Sequence, residues 1–379
     1  MITSISLENF KCFHNSGSIP FAQVTLVTGS NGRGKSSLFQ SMLLLAQSTV
    51  QDKNVEKLKF NGKYINLGTF CDVLRKGAEE RTFSIELTSD DSTENHIKIE
   101  CEMDATSPRK AKFSHFFLFD PLSDKDPDDL LEQVGDTNST SLKDKGMSAS
   151  SSVNILRQLS NTLYVSAERN GPTSYAAQRD NEDADFVGVH GEYAINTLYD
   201  KKDMMESVKQ DLSYVMGGAS IDADVLNDDY IRLLIDSQDD QTGFKPVNVG
   251  FGYSYILPVI IAPYVADDGC KIFIENPEAH LHPGAQSRLM EVLIRMAKEK
   301  NLQLFVETHS DHIINALRIA VKHHKFGFKQ EDASVVHITR DEETSEPLIW
   351  SIKINDKGDF NAYPKDLQEE WGLQMIQLL

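Results

Sequence analysis

Positive charge, cysteine and long apolar runs are all scarce in this chain of 379 residues. Lysine and arginine number 38 against 57 acids, a formal net charge of −19 at pH 7. That deficit argues against a protein that coats itself in lysine to hold polyanions without selectivity. A local basic groove can still sit on an acidic protein. Lys53, Lys57, Lys59 and Lys63 would form one, and solvated lysines on a strand-rich lobe are the equal alternative. Four cysteines, Cys12, Cys71, Cys101 and Cys270, have no metal-like spacing. They read as free thiols of a reducing, cytoplasmic compartment rather than a disulfide framework. No apolar run approaches the roughly 20 residues of a membrane span. The opening MITSISLENFKCF carries charges where a secretory leader would be apolar. Internal repeats and heptad tracts are missing too, so no long coiled-coil arm is expected. With 40% hydrophobic and 25% charged residues, the composition is that of a folded soluble protein of one large domain or two modest ones.

Against that background GSNGRGKSS, Gly29 to Ser37, stands out. It fits G-x-x-x-x-G-K-[ST], a phosphate-binding loop that needs a strand before it and a helix after it. QVTLVT, 23–28, is a short β-branched and apolar run. SSLFQSMLLLAQS comes next, with Leu38, Met42 and Leu45 spaced for one helical face. Glycines let the backbone approach a ligand, and exposed amides at a helix start attract anions. The reading makes Asn31, Gly32, Arg33, Gly34, Lys35, Ser36 and Ser37 the ATP-binding stretch. Lys35 would reach the β- and γ-phosphates, and Ser36 would supply an oxygen to Mg2+.

The pattern of the chain changes several times. Residues 2–8 alternate like an edge strand, and a first helix is expected over 35–48. Alternating runs over 57–118 predict antiparallel strands in a side lobe. Residues 120–152, rich in Asp, Ser, Lys and Gly, predict a flexible insertion. A short helix at 153–160 and a strand at 162–168 come after it, and 190–240 reads as mostly helical, broken at Gly217-Gly218. The last third alternates strand and helix: KIFIE, a helix over 283–300, LQLFVET, then SDHIINALRIAVKHH, then strands around ASVVHIT and PLIWSIKI. That order predicts an α/β core with a largely parallel sheet and a nucleotide site at the C-terminal ends of its strands. The expected division is core 1–56, β lobe 57–119, insertion 120–152, return strand and helical lobe 153–247, and core again 248–379.

Three further segments carry chemistry. In IFIENPEAHLHP, 272–283, an apolar strand ends in Glu275, a carboxylate placed to hold Mg2+ opposite Ser36. Glu278 would orient or deprotonate the attacking water, with a helix-start acid as the equal alternative. In VETHSDHI, 306–313, His309 comes directly after a buried strand and can sense the γ-phosphate. Ser310 or Asp311 can cap the next helix. His280 and His282 lack a third ligand, so zinc is not expected. In NVGFGYSYILPVI, 248–260, amides near Gly250 and Gly252, with Ser254, would face phosphate oxygens. An ordinary glycine turn is the alternative.

Together these segments resemble the ABC-type ATPases that include SMC and Rad50 heads and the overcoming-lysogenization-defect nucleases. Within them the chain looks like the compact bacterial group of AAA-type ABC ATPases with a DUF3696-like C-terminal part. ISLENFKCF looks like the family's opening strand, GSNGRGKSS its Walker A, IFIENPEAHLHP its Walker B and D-loop, and THSDHI its switch-histidine segment. NVGFGYSYILP looks like a divergent signature, and LYVSAERNGP and GEYA also fit. The resemblance implies a P-loop NTPase of ABC-ATPase head type: a mixed central sheet flanked by helices, an antiparallel β side lobe and a helical lobe. It implies two ATP molecules buried between two copies, with Gly252 and Ser254 acting in trans and Gln47 in the Q-loop position beside the metal. The chain departs from the family at Asn276, where a glutamate is usual. Asparagine cannot take a proton as a carboxylate does. Either Glu278 serves, or turnover is slow and ATP acts as a clamp. No Toprim acid cluster or HNH motif is found, so a nuclease or toxin activity would belong to a separate effector, and related stand-alone ATPases are associated with phage defence. A DNA-end or DNA-repair ATPase, a higher oligomer of heads, and a hydrolysis-poor structural module are the other readings.

Overall fold

The computed structural model describes residues 1–51, 57–90, 96–119, 155–156, 158–178, 186–236, 243–364 and 367. Val24–Thr28 (β4) is buried at all five positions, as a strand covered on both faces must be. Around it lies a six-stranded sheet. Its other members are Thr162–Val165 (β9), Lys271–Glu275 (β13), Gln303–Glu307 (β14), Ala333–Arg340 (β15) and Pro347–Ile352 (β16). The order is β16-β15-β4-β14-β13-β9, and every pair is parallel except β15 with β16. This is the largely parallel α/β core expected from the alternation of the last third. Phe273 and Phe305 stack between β13 and β14 at 4.7 Å, with Phe39 and Phe21 edge-on to them.

A second sheet, of seven strands, is antiparallel. Ile2–Phe10 (β1), Phe13–Asn15 (β2), Ile19–Pro20 (β3), Lys57–Lys59 (β5), Thr82–Ser89 (β6), His96–Met103 (β7) and Lys110–Phe119 (β8) run in the order β2-β1-β6-β7-β8-β5, with β3 also on β1. Here the reading of residues 2–8 as an edge strand is corrected. β1 is paired on both sides, by β2 and β3 and by β6. Alternation reports only that one face is buried, and an interior strand of a one-sided sheet alternates just as an edge strand does.

The helical expectation for 190–240 holds only in its first half. Ala194–Asp200 (α3) and Lys202–Met216 (α4) are helices. Gly217 then caps α4 in the left-handed region at φ 80°, and Gly218 is next at φ 114°. Beyond them Ser220–Asn227 (β11) and Tyr230–Asp236 (β12) form an antiparallel hairpin, joined on its β12 side by Tyr175–Ala177 (β10). The buried residues of β12 are Ile231, Leu233 and Ile235, a period of two that excludes a helix. The expected insertion at 120–152 lies outside the described residues.

A buried amide ties the two large sheets together. Gln303 Oε1 accepts from Ile2 N–H at 3.0 Å, and Nε2 donates to the carbonyls of Ile2 and Ala22 at 2.6 and 3.2 Å. Gln303 is 1% exposed and Ile2 fully buried, so the amide and the Ile2 main chain cannot turn to water instead. Gln303→Leu keeps the volume and removes the side-chain partner of Ile2 N–H, Ile2 O and Ala22 O, the last of which keeps the Thr25 hydroxyl. We expect a loss of about 3 kcal/mol, read as a lowered midpoint in urea unfolding.

Candidate nucleotide site

The loop 29–34 leaves β4 and enters helix Lys35–Gln51 (α1) through backbone that only glycine tolerates at two points. Gly29 has φ 124°, and a Cβ there would sit 2.0 Å from the Ile338 carbonyl oxygen of β15. Gly34 has φ 115°, and its Cβ would meet Cys12 Sγ and the Phe13 ring at 2.9 Å. The loop is therefore clamped between β15 on one side and the β1–β2 turn on the other. Gly32, at φ 74°, has open space where a Cβ would go, and Asn31 beside it is exposed.

Lys35 is only 3% exposed. Its ammonium donates to the carbonyls of Gly29 and Ser30 at 2.8 and 3.0 Å, so the loop wraps its own lysine. Burial pulls its pKa down, and the nearby carboxylate of Glu307 opposes this. Arg33 Nε donates to Ser30 Oγ at 3.4 Å. Gly32, Arg33 and Ser37 line a cavity of about 730 Å³ with Lys11, Cys12 and Arg75. The exposed Ser36 donates to Glu307 Oε2 at 3.4 Å.

Glu307 is the residue that reading the sequence missed. It ends β14 as Glu275 ends β13, and the two are register partners on adjacent parallel strands. Glu307 Oε1 lies 4.0 Å from Lys35 Nζ. Its carboxyl is pushed up to about 7, first by burial and then by the charge of Glu275, with Lys35 and Ser36 pulling the other way. The signal was available: FVE repeats the apolar-strand-then-acid form of FIE.

Glu275 Oε2 accepts from Ala167 N–H at 3.1 Å, and burial, then the charge of Glu275, raise the pKa of the Tyr164 hydroxyl. Asn276 turns the chain out of the sheet at φ 44° and donates its N–H to the Glu307 carbonyl at 2.8 Å. Its Oδ1 is buried with no hydrogen-bond partner. Glu278 Oε1 accepts from His309 N–H at 2.9 Å, while Oε2 is buried and unpartnered. His309 itself is exposed, and burial of its ring atoms with Lys35 nearby lowers its pKa, against the pull of Glu278. Ser310 caps helix Asp311–Lys322 (α7) by accepting from His312 and Ile313 N–H.

Other expected residues lie elsewhere. Gln47 is corrected. It is 1% exposed, donates to the Lys59 carbonyl at 2.7 Å and accepts from Tyr64 and Ile65 N–H. Its amide is spent on holding the segment after β5, not on a metal. Gly252 opens helix Phe251–Val265 (α5), where a Cβ would lie 2.7 Å from the His280 carbonyl oxygen. Its smallness lets α5 sit on the segment after β13. Ser254 Oγ is buried without a partner. His282 caps helix Pro283–Glu299 (α6) through Nδ1. Among the described residues no cluster of three or more His, Cys, Asp or Glu has a metal-holding arrangement. Mg2+ in nucleotide sites uses one or two protein ligands plus phosphates and water, so the residues fit that ion and not a protein cage. Of the lysines proposed for a nucleic-acid groove, Lys57 pairs with Asp104 and Lys63 lies over the Phe186 ring. Lys53 is outside the described residues. Among those residues, no helix is long and apolar enough to cross a membrane.

The glycine-clamped loop, its buried lysine and the strand-end acids on this sheet define a P-loop nucleotide-binding fold of the SMC-head type. Residues 24–315 match the family described as "AAA domain, putative AbiEii toxin, Type IV TA system", and the chain belongs to that family. No curated protein matches it. Among solved structures, the SmcHead bound to the C-winged helix domain of ScpA is 12% identical, with a TM-score of 0.52 over 92% of this chain and 97% of that one. The Smc head domain with an extended coiled coil, bound to the C-terminal domain of ScpA derived from Pyrococcus furiosus, is 11% identical. Its TM-score is 0.50, over 100% of this chain and 98% of that one. At these identities the likeness is one of fold.

Because folded Glu307 holds its proton more tightly than an ordinary glutamate near 4.5, it stabilises the metal-free fold fully below that value. The contribution is lost as pH rises through about 7. Wild type should therefore lose stability between pH 5 and pH 8 relative to Glu307→Gln. Urea unfolding of both proteins across that range measures the difference, and parallel curves would show that Glu307 does not titrate there.

Proposed function

We propose that this protein is an ATP-binding and ATP-hydrolysing head that works as a homodimer and regulates a separate effector. One observation carries the reading. Lys35 and Ser36 at the start of α1 meet Glu307 at the end of β14, beside Glu275 and Glu278. A lysine buried in a loop of amides is preorganised for phosphate. Ser36 and Glu275 would supply oxygen ligands to Mg2+, which would neutralise phosphate charge when bound. Glu278, with Oε1 fixed by His309 N–H and Oε2 free, is the carboxylate able to take a proton from water, since Asn276 cannot. His309 comes just after β14 and stands beside Glu278, where it can report the state of the phosphate end. The cavity at Gly32, Arg33 and Ser37 offers room for the nucleoside.

A second copy is supported by the start of α5. Phe244, Val247 and Phe251, exposed by 38%, 59% and 56%, are apolar side chains close in sequence to the glycine turn at 250–252. Gly252 and Ser254 would act in trans from there on ATP held by the other copy. A regulated partner is supported by the family's association with a toxin system and by the solved heads bound to ScpA. Phage defence is the setting that the resemblance to stand-alone ATPases of this group suggests.

The test is phosphate release from Mg-ATP across a protein concentration series, with and without duplex DNA. A rate per chain that rises with concentration supports paired heads, and added stimulation by DNA would favour a repair role. ATP binding without turnover would make the protein an ATP-held clamp. Lys35→Ala should abolish ATP binding, and unchanged affinity would sink the assignment. Glu278→Gln should slow turnover by about a hundredfold, within the range for losing a general base, while leaving affinity within about twofold of wild type. Equal rates would reduce Glu278 to a structural acid.

A further inference from the structure

Arg169 is 4% exposed, and among the described residues it forms no ion pair within 4.0 Å. Burial lowers its pKa, and the carboxylates that oppose this, Glu278 and then Glu275, act from beyond ion-pair distance, so its position calls for a reason. Its fork points at main-chain carbonyls instead. Nη1 donates to Ser166 O at 3.2 Å and to Glu275 O at 2.8 Å, and Nη2 donates to Asn276 O at 2.6 Å. These last two carbonyls flank the point where the chain leaves β13 through the left-handed Asn276. Nε has no partner. The guanidinium carbon lies 5.7 Å from the centre of the Tyr255 ring of α5, and that ring meets His280 edge-on at 4.5 Å.

The segment 166–169 thus grips Glu275 twice. Ala167 N–H holds the carboxylate, and Arg169 holds the carbonyl behind it. Glu278 projects from the same turn, two residues beyond Asn276. We infer that Arg169 is a positioning residue: it fixes the turn that carries Glu275 and Glu278, and through Tyr255 and His280 ties that turn to the start of α5. This rests on the ATPase reading, and it assigns Arg169 to the Mg2+-dependent step rather than to nucleotide capture. Lys35 and the phosphate loop hang on β4 and α1, which Arg169 does not touch through any of these bonds. Planarity matters here. One fork spans two successive carbonyls, which a lysine ammonium cannot do in the same geometry.

The test compares wild type, Arg169→Ala and Arg169→Lys. A fluorescent ATP analogue is titrated in EDTA and in Mg2+, phosphate release is measured with and without methylguanidinium, and thermal unfolding is followed. We expect affinity in EDTA within twofold of wild type for both variants. The tightening produced by Mg2+ should be lost. For Arg169→Ala, kcat should fall about a hundredfold, as a misplacement of about 1 Å at a reacting centre can cause, with KM nearly unchanged. Methylguanidinium should restore at least tenfold of that loss, and Arg169→Lys should remain at least tenfold below wild type. If Arg169→Ala does not fold, the lysine variant carries the test alone. Full Mg2+ response and turnover in Arg169→Lys would overturn the inference. So would a loss of EDTA affinity in step with a lowered unfolding temperature and no rescue, which would make Arg169 a packing residue. Wild type that binds no nucleotide would overturn the ATPase reading itself, and this inference with it. Wild type that binds but does not turn over leaves the Mg2+ effect on affinity to decide.

Discussion

The site depends on two carboxylates held in register. Parallel pairing of β13 with β14 sets Glu275 opposite Glu307, and pairing of β14 with β4 sets Glu307 opposite Val27, two residues before the loop. Burial of Glu307, and then the charge of Glu275 beside it, push the Glu307 carboxyl up to about 7. Lys35 offsets part of this rise at 4.0 Å, and Ser36 adds a hydrogen bond. The lysine is in turn held by the carbonyls of Gly29 and Ser30, whose loop is clamped by β15. Loop, lysine and acids therefore form one electrostatic unit. Phosphate and Mg2+ are a pair of opposite charges that such a unit can accept with little rearrangement.

Much of this was legible because it depends on local pattern. A strand–glycine loop–helix sequence with lysine at a fixed place names its own chemistry, and a buried apolar strand ending in Glu275 does the same. Glu307 was overshadowed by His309, two residues later, although an acid at the end of LQLFVE has the same meaning as one at the end of KIFIE. Gln47 failed for a geometric reason. Eleven residues along an α-helix from Ser36 is about 17 Å at 1.5 Å per residue, too far for both to serve one ion while α1 runs unbroken over Lys35–Gln51. The 220–236 hairpin was hidden because Gly217-Gly218 marks the end of a helix and leaves the type of the next element open. The interior place of β1 was hidden because alternation reveals burial of one face and not the number of neighbours. The hydrogen bonds of Arg169 to the turn after β13 were beyond reach, since they go to carbonyls more than a hundred residues away.

Asn276 changes the meaning of the segment after β13. With a left-handed φ of 44°, it makes a turn that asparagine tolerates better than most residues. His280 repeats the feature at φ 62° four residues on. Two non-glycine residues in that region within five positions require external support, and the structure provides it on both sides. Arg169 binds the carbonyls at the first, while the start of α5, stripped of side chain at Gly252, packs against the carbonyl of the second. The helix can come this close only because residue 252 is glycine. The position that resembles a signature residue thus has a demonstrable job within its own chain, independent of any partner.

That packing bears on how an event at the phosphates could be felt at a distance. Glu278 binds the main chain of His309, so the turn after β13 and the loop after β14 are tied by one hydrogen bond. The same turn is tied to α5 through the His280 carbonyl at Gly252 and the Tyr255 ring. A shift of the Glu278 carboxylate would therefore act on two structures at once: the histidine loop on one side and the exposed Phe251 face on the other. The antiparallel lobe meets the core at both ends of the strands: the Gln303 amide holds it at the start of β14, and its β1–β2 turn packs on Gly34 of the phosphate loop. The lobe is thus pinned at the N-terminal end of β14 and also touches the loop that carries the lysine, while the turn after β13 links the acids to α5.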